Sequence, residues 1–160
     1  GSMNTPNYEG FLWFVRNVMT KVSGCILRIV GKGMETKSEE LTAGNVDVVG
    51  TVDDLSHYYY EADVVVLPIL YGNGMKVKTA EAMMYGKPIL ATQEALEGYD
   101  IFGIEGIREC NSIEQFVSAI EELRRIKKDD VIVSQTRELF LNKYETSHIV
   151  KCLGDFLRGD

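Results

Sequence analysis

The sequence lacks an excess of positive charge and has few cysteines. It carries 17 lysines and arginines against 24 aspartates and glutamates, which gives a formal net charge of -7. Because binding to nucleic acid needs a basic surface, this balance argues against a nucleic-acid partner. Cys25, Cys110 and Cys152 are odd in number and widely spaced, which indicates neither a disulfide framework nor a metal site. We therefore expect a reducing, cytoplasmic setting.

Long apolar runs and targeting signals are also lacking. No stretch is apolar over the length that a bilayer requires, so we expect no transmembrane segment. Residues 1–3, with the sequence GSM, are interpreted as a tag remnant followed by a start methionine. The chain has 160 residues, of which 45% are hydrophobic, and residues 4–160 are expected to form one domain with its own core.

Segments with the apolar pattern of strands alternate along the chain with segments that have the apolar periodicity of helices. The predicted strands are CILRIVG, VDVVG, DVVVLPIL, PILAT and GIREC. The predicted helices cover roughly 8–22, TKSEEL, DDLSHYYYEA, Met75 to Tyr85, IEQFVSAIEELRRI and two segments between about 130 and 157. This alternation predicts an α/β fold with a doubly wound parallel sheet that has helices on both faces.

The stretch YGNGMKVKTAEAMMYGKPILAT, from Tyr71 to Thr92, carries the main functional signal. Its glycines follow the most apolar predicted strand and precede a helix, so the loop lies at the sheet edge where α/β folds bind ligands. Glycine lets a ligand approach the main chain, and the helix start offers free N–H groups and a positive dipole end. With Lys76 adding charge, the loop is predicted to bind a phosphate group.

Glu81 is predicted to bind a ribose. It lies about 10 Å along the helix axis from Gly74, at a rise of about 1.5 Å per residue. A diphosphate bound at the helix start would bring a ribose to that point, and a carboxylate can accept hydrogen bonds from both ribose hydroxyls.

Structural roles are open alternatives for the same residues. The loop glycines occur in an Asn-Gly turn, and Lys78 with Glu81 has the spacing of a surface ion pair. The methionines of this segment have the pattern of core residues rather than of ligand contacts; they are Met75, Met83 and Met84. His57 is interpreted as a surface or packing residue rather than a catalytic base.

The same stretch resembles the G-x-G-x-K-x-K-x-x-E-A-M-x-x-G-x-P signature of family 4 (group 1) glycosyltransferases. The resemblance extends to LRIVGKG, to VDVVGTVDDLSHYYYEADVVVLPI and to EALEGYD. It implies the GT-B architecture, in which two Rossmann-like domains enclose the active site. This chain would be the C-terminal, nucleotide-sugar-binding domain, without the N-terminal acceptor domain, and would be inactive alone.

The resemblance also implies which residues contact the donor. Glu81 would bind the ribose, the start of the helix would contact the diphosphate or the sugar, and the segment from Gly50 to Val52 would lie near the base. The expected donor-binding residues are Gly31, Gly33, Thr51, Val52, Gly74, Met75, Lys76 and Glu81, and the weaker candidates are Gly72, Asn73 and Lys78. No catalytic residue is assigned. The family implies sugar transfer with retention, often in surface polysaccharide synthesis, with no cofactor and no bound metal.

Two departures from the family pattern bear on these expectations. Many members carry a second glutamate eight residues before the conserved one, and that position is Asn73 here. The family's donor domain also begins with a strand that would lie between CILRIVG and DVVVLPIL, and no such strand precedes Asn4. Because uncovered strand edges pair readily, a homo-oligomer that completes the sheet is one expected partner. The alternative functions are a nucleotide-sugar 2-epimerase-like domain and a non-catalytic, degenerate module.

Overall fold

The structure is a computed structural model and describes residues 4–125 and 130–150. Its five strands are β1 (Leu27–Val30), β2 (Val46–Gly50), β3 (Val65–Leu67), β4 (Ile89–Ala91) and β5 (Ile107–Glu109). Its α-helices are α1 (Thr5–Phe14), α2 (Ser38–Leu41), α3 (Ser56–Glu61), α4 (Val77–Met84), α5 (Ile113–Arg125) and α6 (Asp130–Leu139). The π-helical segments Val15–Met19 and Phe140–Tyr144 follow α1 and α6, and short 3₁₀ turns cover Met34–Lys37 and Glu94–Leu96.

All strand pairs are parallel, as the sequence predicts. β1 pairs with β2, with Leu27 opposite Val46, and β4 lies between β3 and β5, with Ile89 opposite both Val65 and Ile107. Parallel strands place their carboxyl ends at one edge of a sheet, so the loops that follow β3, β4 and β5 share an edge. The predicted α/β class and its parallel strands are confirmed.

Helices cover both faces of β4, which is buried along its whole length. Leu90 faces a core in which Phe14 of the first helix meets Phe116 of α5 edge to face, with ring centroids 5.2 Å apart. Ile89 and Ala91 face the opposite core, which includes Ala82 and Met83 of α4 and several other apolar residues. This alternation is what a strand between two helical layers requires.

Local sequence signals set the helix ends. The Ser112 hydroxyl accepts from the Gln115 amide at 3.3 Å, and the Gln115 side chain accepts from the Ser112 amide at 3.1 Å, which confirms the predicted capping box. Gly86 has φ 65°, and its amide donates to Met83 while the Lys87 amide donates to Ala82. This pair of bonds closes α4 with the predicted left-handed glycine cap.

Strand β3 is shorter and less buried than its apolar sequence predicts. The predicted strand DVVVLPIL is extended only over Val65–Leu67, and Val65 and Val66 are half-buried, whereas β4 is fully buried. Within the described part of the chain, β1 and β3 belong to two separate sheets. One edge of β3 therefore lacks the neighbour that would bury it. The direct pairing of β1 with β3 that would have contradicted the expected oligomer is not observed among the described residues.

Helix α1 packs closely on the end of β3. A Cβ atom added to Gly10 would lie 2.0 Å from the Pro68 carbonyl oxygen, so only glycine permits this contact. The Tyr71 hydroxyl donates to a Glu9 carboxylate oxygen at 2.7 Å and ties the loop after β3 to the same helix. Of the two helices predicted between about 130 and 157, the first corresponds to α6, and the part of the second beyond residue 150 lies outside the described residues.

Candidate functional site

The loop between β3 and α4 is exposed and ends in a left-handed glycine. Gly74 has φ 67°, a left-handed backbone conformation that is strained for every residue except glycine. A Cβ atom built on Gly74 would meet no atom within 4 Å. The space above its backbone is therefore open to a ligand. Gly72 and Asn73, the weaker candidates, are exposed in the same loop.

The start of α4 presents an uncompensated helix dipole. Lys76 occupies the N-cap position without a side-chain cap, and the first turn contains no acidic residue. The Thr79 amide already donates to the Lys76 carbonyl at 2.9 Å, and the positive end of the helix dipole at this position would stabilise an anion. Two exposed apolar side chains flank this position: Met75, 50% exposed, which lies against Gly98, and Val77, 68% exposed. Met75 is therefore not a core residue, whereas Met83 is fully buried as predicted.

The Lys76 ammonium group is held by three oxygen atoms. It lies 2.5 Å from the Gly74 carbonyl oxygen, 2.7 Å from Glu94 Oε1 and 3.3 Å from Glu97 Oε2, and the side chain is only 13% exposed. Burial works to lower the pKa of Lys76, but the hydrogen bonds and charges of the two glutamates outweigh burial and raise that pKa above its ordinary value. Lys76 is therefore charged, and its charge is shared with two carboxylates.

Glu81 lies in the second turn of α4 and is half-buried. The Tyr59 hydroxyl on α3 donates a hydrogen bond to Glu81 Oε2 at 3.1 Å. Among the described residues, Lys78 and Glu81 do not form an ion pair, so the alternative interpretation of Glu81 as half of a surface pair is wrong. The structure thus leaves Glu81 with one hydrogen-bond donor and with acceptor capacity to spare.

The loops after β1 and β2 form a second group of predicted residues. The Gly31 amide donates to the Gly50 carbonyl at 2.7 Å, and the Gly33 amide donates to the Thr51 hydroxyl at 3.2 Å. Glu35 accepts from the Thr51 amide at 3.1 Å and from its hydroxyl at 2.9 Å. The structure therefore brings three predicted residues together, and in it the Thr51 amide is engaged by Glu35. Hydrogen bonds from backbone amides and from the Thr51 hydroxyl hold the pKa of Glu35 below its ordinary value.

Val52 and Lys78 complete the predicted set, and both are half-buried. Sequence reasoning missed four polar side chains that contact predicted residues, namely Glu35, Tyr59, Glu94 and Glu97. Two sequence signals could have identified Glu94 and Glu97. They lie directly after a strand whose carboxyl end shares the sheet edge with the loop before α4, and they belong to the segment EALEGYD, which is part of the family resemblance.

A cavity of about 600 Å³ lies next to the Lys76 cluster, at the carboxyl edge of β3, β4 and β5. It is lined by Glu94, Glu97 and Glu109 among others, and it contains none of the predicted donor-binding residues. Carboxylates repel a phosphate, so this cavity is a poorer anion site than the start of α4.

The described residues contain no group of three side chains with the composition of a metal site. None of the described helices has the length and hydropathy needed to cross a membrane. Within the parts that the structure describes, the candidate site consists of the start of α4 with Lys76 and Glu81, and of the loop after β2 that contains Thr51.

One comparison shows the family of this chain, and the similar solved structures show its fold. The sequence profile described as "Glycosyl transferases group 1" matches residues 1–125. A glycosyltransferase from Rickettsia africae has a similar structure, with a TM-score of 0.74 and 15% identity, over 98% of this chain and 45% of that one. HepE from Anabaena, solved in complex with UDP, is similar with a TM-score of 0.74 and 14% identity, over 100% of this chain and 47% of that one.

A third solved structure is described as the C-terminal domain of a group 1 family glycosyl transferase, LpcC from Francisella tularensis. It is similar with a TM-score of 0.64 and 15% identity, over 91% of this chain and 84% of that one. The chain thus spans less than half the length of the first two relatives and most of the third. No curated protein matches the sequence significantly.

Proposed function

Because the chain belongs to the group 1 glycosyltransferase family, we propose that it binds the nucleotide-sugar donor of a sugar-transfer reaction at the start of α4. The observation that carries this proposal is the order of three groups along one helix: the open backbone at Gly74, the cation at Lys76 and the carboxylate at Glu81. In this account the diphosphate lies over the helix start and the ribose hydroxyls reach Glu81.

The physical basis is a match of charge and spacing. A helix N-terminus and a lysine both stabilise phosphate oxygens, and the first turn of α4 contains no acidic residue, while Glu94 and Glu97 offset part of the charge of Lys76. The carboxylate of Glu81 lies one and a half turns further along α4, and it would accept hydrogen bonds from ribose hydroxyls worth about 1.5–3 kcal/mol. The loop around Thr51 and Val52 would then border the base.

UDP is the donor nucleotide that we propose to test first. HepE, a solved structure with a similar fold, was obtained in complex with UDP. The sugar carried by the nucleotide is left open, because Asn73 stands where many relatives of the family carry a second carboxylate.

We propose that the complete enzyme also contains an acceptor-binding domain. The similarity to the C-terminal domain of LpcC supports a C-terminal position for this chain, and the chain spans less than half of the first two relatives. Transfer requires donor and acceptor to be held together, so this domain alone is expected to bind donor without turning it over. Retention at the anomeric carbon and a cytoplasmic role in polysaccharide synthesis remain part of this proposal.

The test is calorimetric titration of the chain with UDP, GDP and ADP, repeated with the variant Glu81→Ala. We expect one nucleotide to bind and the variant to weaken its affinity by about 1.5–3 kcal/mol, which corresponds to roughly 10- to 150-fold. The matched control is Glu39→Ala, because Glu39 is an exposed glutamate on the short helix α2. Its removal alters the net charge by the same amount and should leave the affinity unchanged.

Two results would count against the proposal. Equal weakening by both variants would show that only net charge matters and that Glu81 is not a ribose ligand. The absence of binding by all three nucleotides, in this chain and in the complete protein, would favour a non-catalytic module.

A further inference from the structure

Tyr59 joins two helices at the proposed ribose site. It lies on α3 and packs against the core cluster on the α4 side of the sheet. Its ring stacks on that of Tyr85 with centroids 4.7 Å apart and an interplanar angle of 5°. Its hydroxyl donates to Glu81 Oε2 at 3.1 Å. The ring is thus fixed by packing, and its polar end is directed at one carboxylate oxygen.

We propose that Tyr59 is a positioning residue that holds the Glu81 carboxylate in the orientation needed to bind ribose. This inference rests on the proposed function and assigns to α3 a part in recognising the nucleoside. Tyr59 does not touch the ligand in this account. It acts through Glu81 by fixing one oxygen and leaving the other to accept the ribose hydroxyls.

The hydrogen bond between Tyr59 and Glu81 is compatible with ligand binding, because Tyr59 does not use all the acceptor sites of the carboxylate. An ionised carboxylate has about four acceptor sites, and one phenol hydroxyl occupies one of them. The Tyr59 ring packs against the buried cluster and its hydroxyl reaches only Oε2, so this bond leaves Oε1 of the carboxylate available to a ligand. Burial, followed by the negative charge of Glu81 and the hydrogen bond to it, raises the pKa of Tyr59 far above its ordinary value. The phenol therefore remains a donor at neutral pH.

The expected benefit is lower conformational entropy loss on binding. A glutamate side chain has several rotatable bonds, and immobilising such a side chain at a binding site weakens affinity. A hydroxyl that fixes the carboxylate in the free protein removes much of that loss before the ligand arrives. Without the hydroxyl, the nucleotide affinity should fall by about two- to tenfold.

The experiment is a double-mutant cycle with two ligands. Tyr59→Phe, Glu81→Ala and the double variant are titrated with UDP and with 2′,3′-dideoxy-UDP, which lacks both ribose hydroxyls. We expect Tyr59→Phe to weaken UDP binding by about two- to tenfold and to leave dideoxy-UDP binding unchanged. In the Glu81→Ala background, the second substitution should have no further effect on UDP.

Tyr85→Phe is the matched control, since it removes a phenol hydroxyl from the other ring of the same stack. Its affinity for UDP should equal that of the unsubstituted chain. Thermal unfolding of each variant shows whether the stack survives, and a merely structural role of Tyr59 would weaken both ligands equally.

The outcomes separate this inference from the function on which it rests. If Glu81→Ala weakens UDP binding and Tyr59→Phe strengthens it, leaves it unchanged, or weakens both ligands equally, the positioning role is wrong and the donor site stands. If Glu81→Ala has no effect, or if none of UDP, GDP and ADP binds, the ribose assignment fails and the positioning role fails with it; if GDP or ADP is the nucleotide that binds, the cycle is run with that nucleotide and its dideoxy analogue.

Discussion

At the scale of single residues, the charge of Lys76 is the property that most affects the proposed donor site. The ammonium group is nearly enclosed and is paired with Glu94 and Glu97 rather than free in solvent. A diphosphate bound at the start of α4 would meet a cation that two carboxylates already neutralise. The negative charge of Glu94 therefore opposes the ligand that Lys76 attracts.

We predict that Glu94→Gln strengthens UDP binding by about two- to tenfold, because the substitution removes one charge close to the diphosphate and leaves a neutral acceptor for Lys76. Calorimetric titration measures the change. Glu105→Gln, in the exposed loop before β5, is the control for net charge and should have little effect. Weaker binding in the Glu94 variant would contradict this account and would show that the ion pair holds Lys76 in place for the ligand.

The residues of the proposed donor site were inferred from their spacing along one loop and one helix, whereas their contacts with distant elements were not predicted. Gly74, Lys76 and Glu81 follow from one loop and one helix, whose geometry is regular. The partners of Lys76 lie 18 and 21 residues away, and Tyr59 lies 22 residues from Glu81. No local pattern specifies which side chain from another element meets them.

At the scale of the helices and strands, α3 and α4 are linked through Tyr59, and this link depends on pH. The pKa of Tyr59 is raised in the folded chain above its ordinary value of 10.0, because burial and Glu81 favour the neutral phenol. The unfolded chain therefore releases this proton first as the pH rises. The stabilising contribution is fully present below about pH 10 and is lost progressively above it.

We predict that the free energy of unfolding of the unsubstituted chain falls between about pH 9 and pH 11, and that Tyr59→Phe removes part of this fall. Lys76 also has a raised pKa and loses stabilisation in the same direction, but it is common to both proteins. Denaturant unfolding at the two pH values measures the difference. An identical decrease in both proteins would contradict the assigned role of Tyr59 in the link.

Helix ends were more predictable than strand lengths. The capping residues Ser112 and Gln115 and the terminating Gly86 act within one turn of chain, so their roles could be inferred from the sequence. The length of β3 depends on whether a neighbouring strand is present. The apolar run DVVVLPIL contains no information about that neighbour. This is why a strand predicted to be buried on both faces is half-buried in the structure.

At the scale of the whole molecule, the edges of β1 and β3, here named the strip, are not paired with each other among the described residues. The two strands lie in separate sheets, and Ile26, next to β1, is 71% exposed. Strand edges with unpaired backbone groups favour association with another strand. Our proposal of a homo-oligomer that completes the sheet follows from this strip.

We predict that the chain associates in a concentration-dependent way and that Ile26→Lys shifts it toward the monomer, because a lysine at a strand edge opposes pairing. Light scattering coupled to size-exclusion chromatography measures the mass. Phe102→Lys is the control, since Phe102 is 98% exposed in a loop away from the strip. A monomer at all concentrations would contradict the proposed oligomer, and an equal effect of both substitutions would show that the association does not involve the strip.

The fold class and the family were within reach of the sequence, because strand–helix alternation and the motif around Gly74 and Glu81 are local patterns. The sequence did not predict that two regions at the same sheet edge, the start of α4 and a neighbouring cavity, are alternative places for a ligand. Only the structure shows that the start of α4 lies beside a cavity lined by carboxylates. Our central claim is that the nucleotide binds at the start of α4 and not in that cavity.

Nuclear magnetic resonance with ¹⁵N-labelled chain and UDP tests that claim most directly. We predict that the largest amide shifts on titration fall at Gly74, Lys76 and Lys78, with smaller shifts in the loop at Thr51. Shifts confined to the cavity side, at Gln93 and Asn111, would contradict the account and would move the ligand to the acidic cavity.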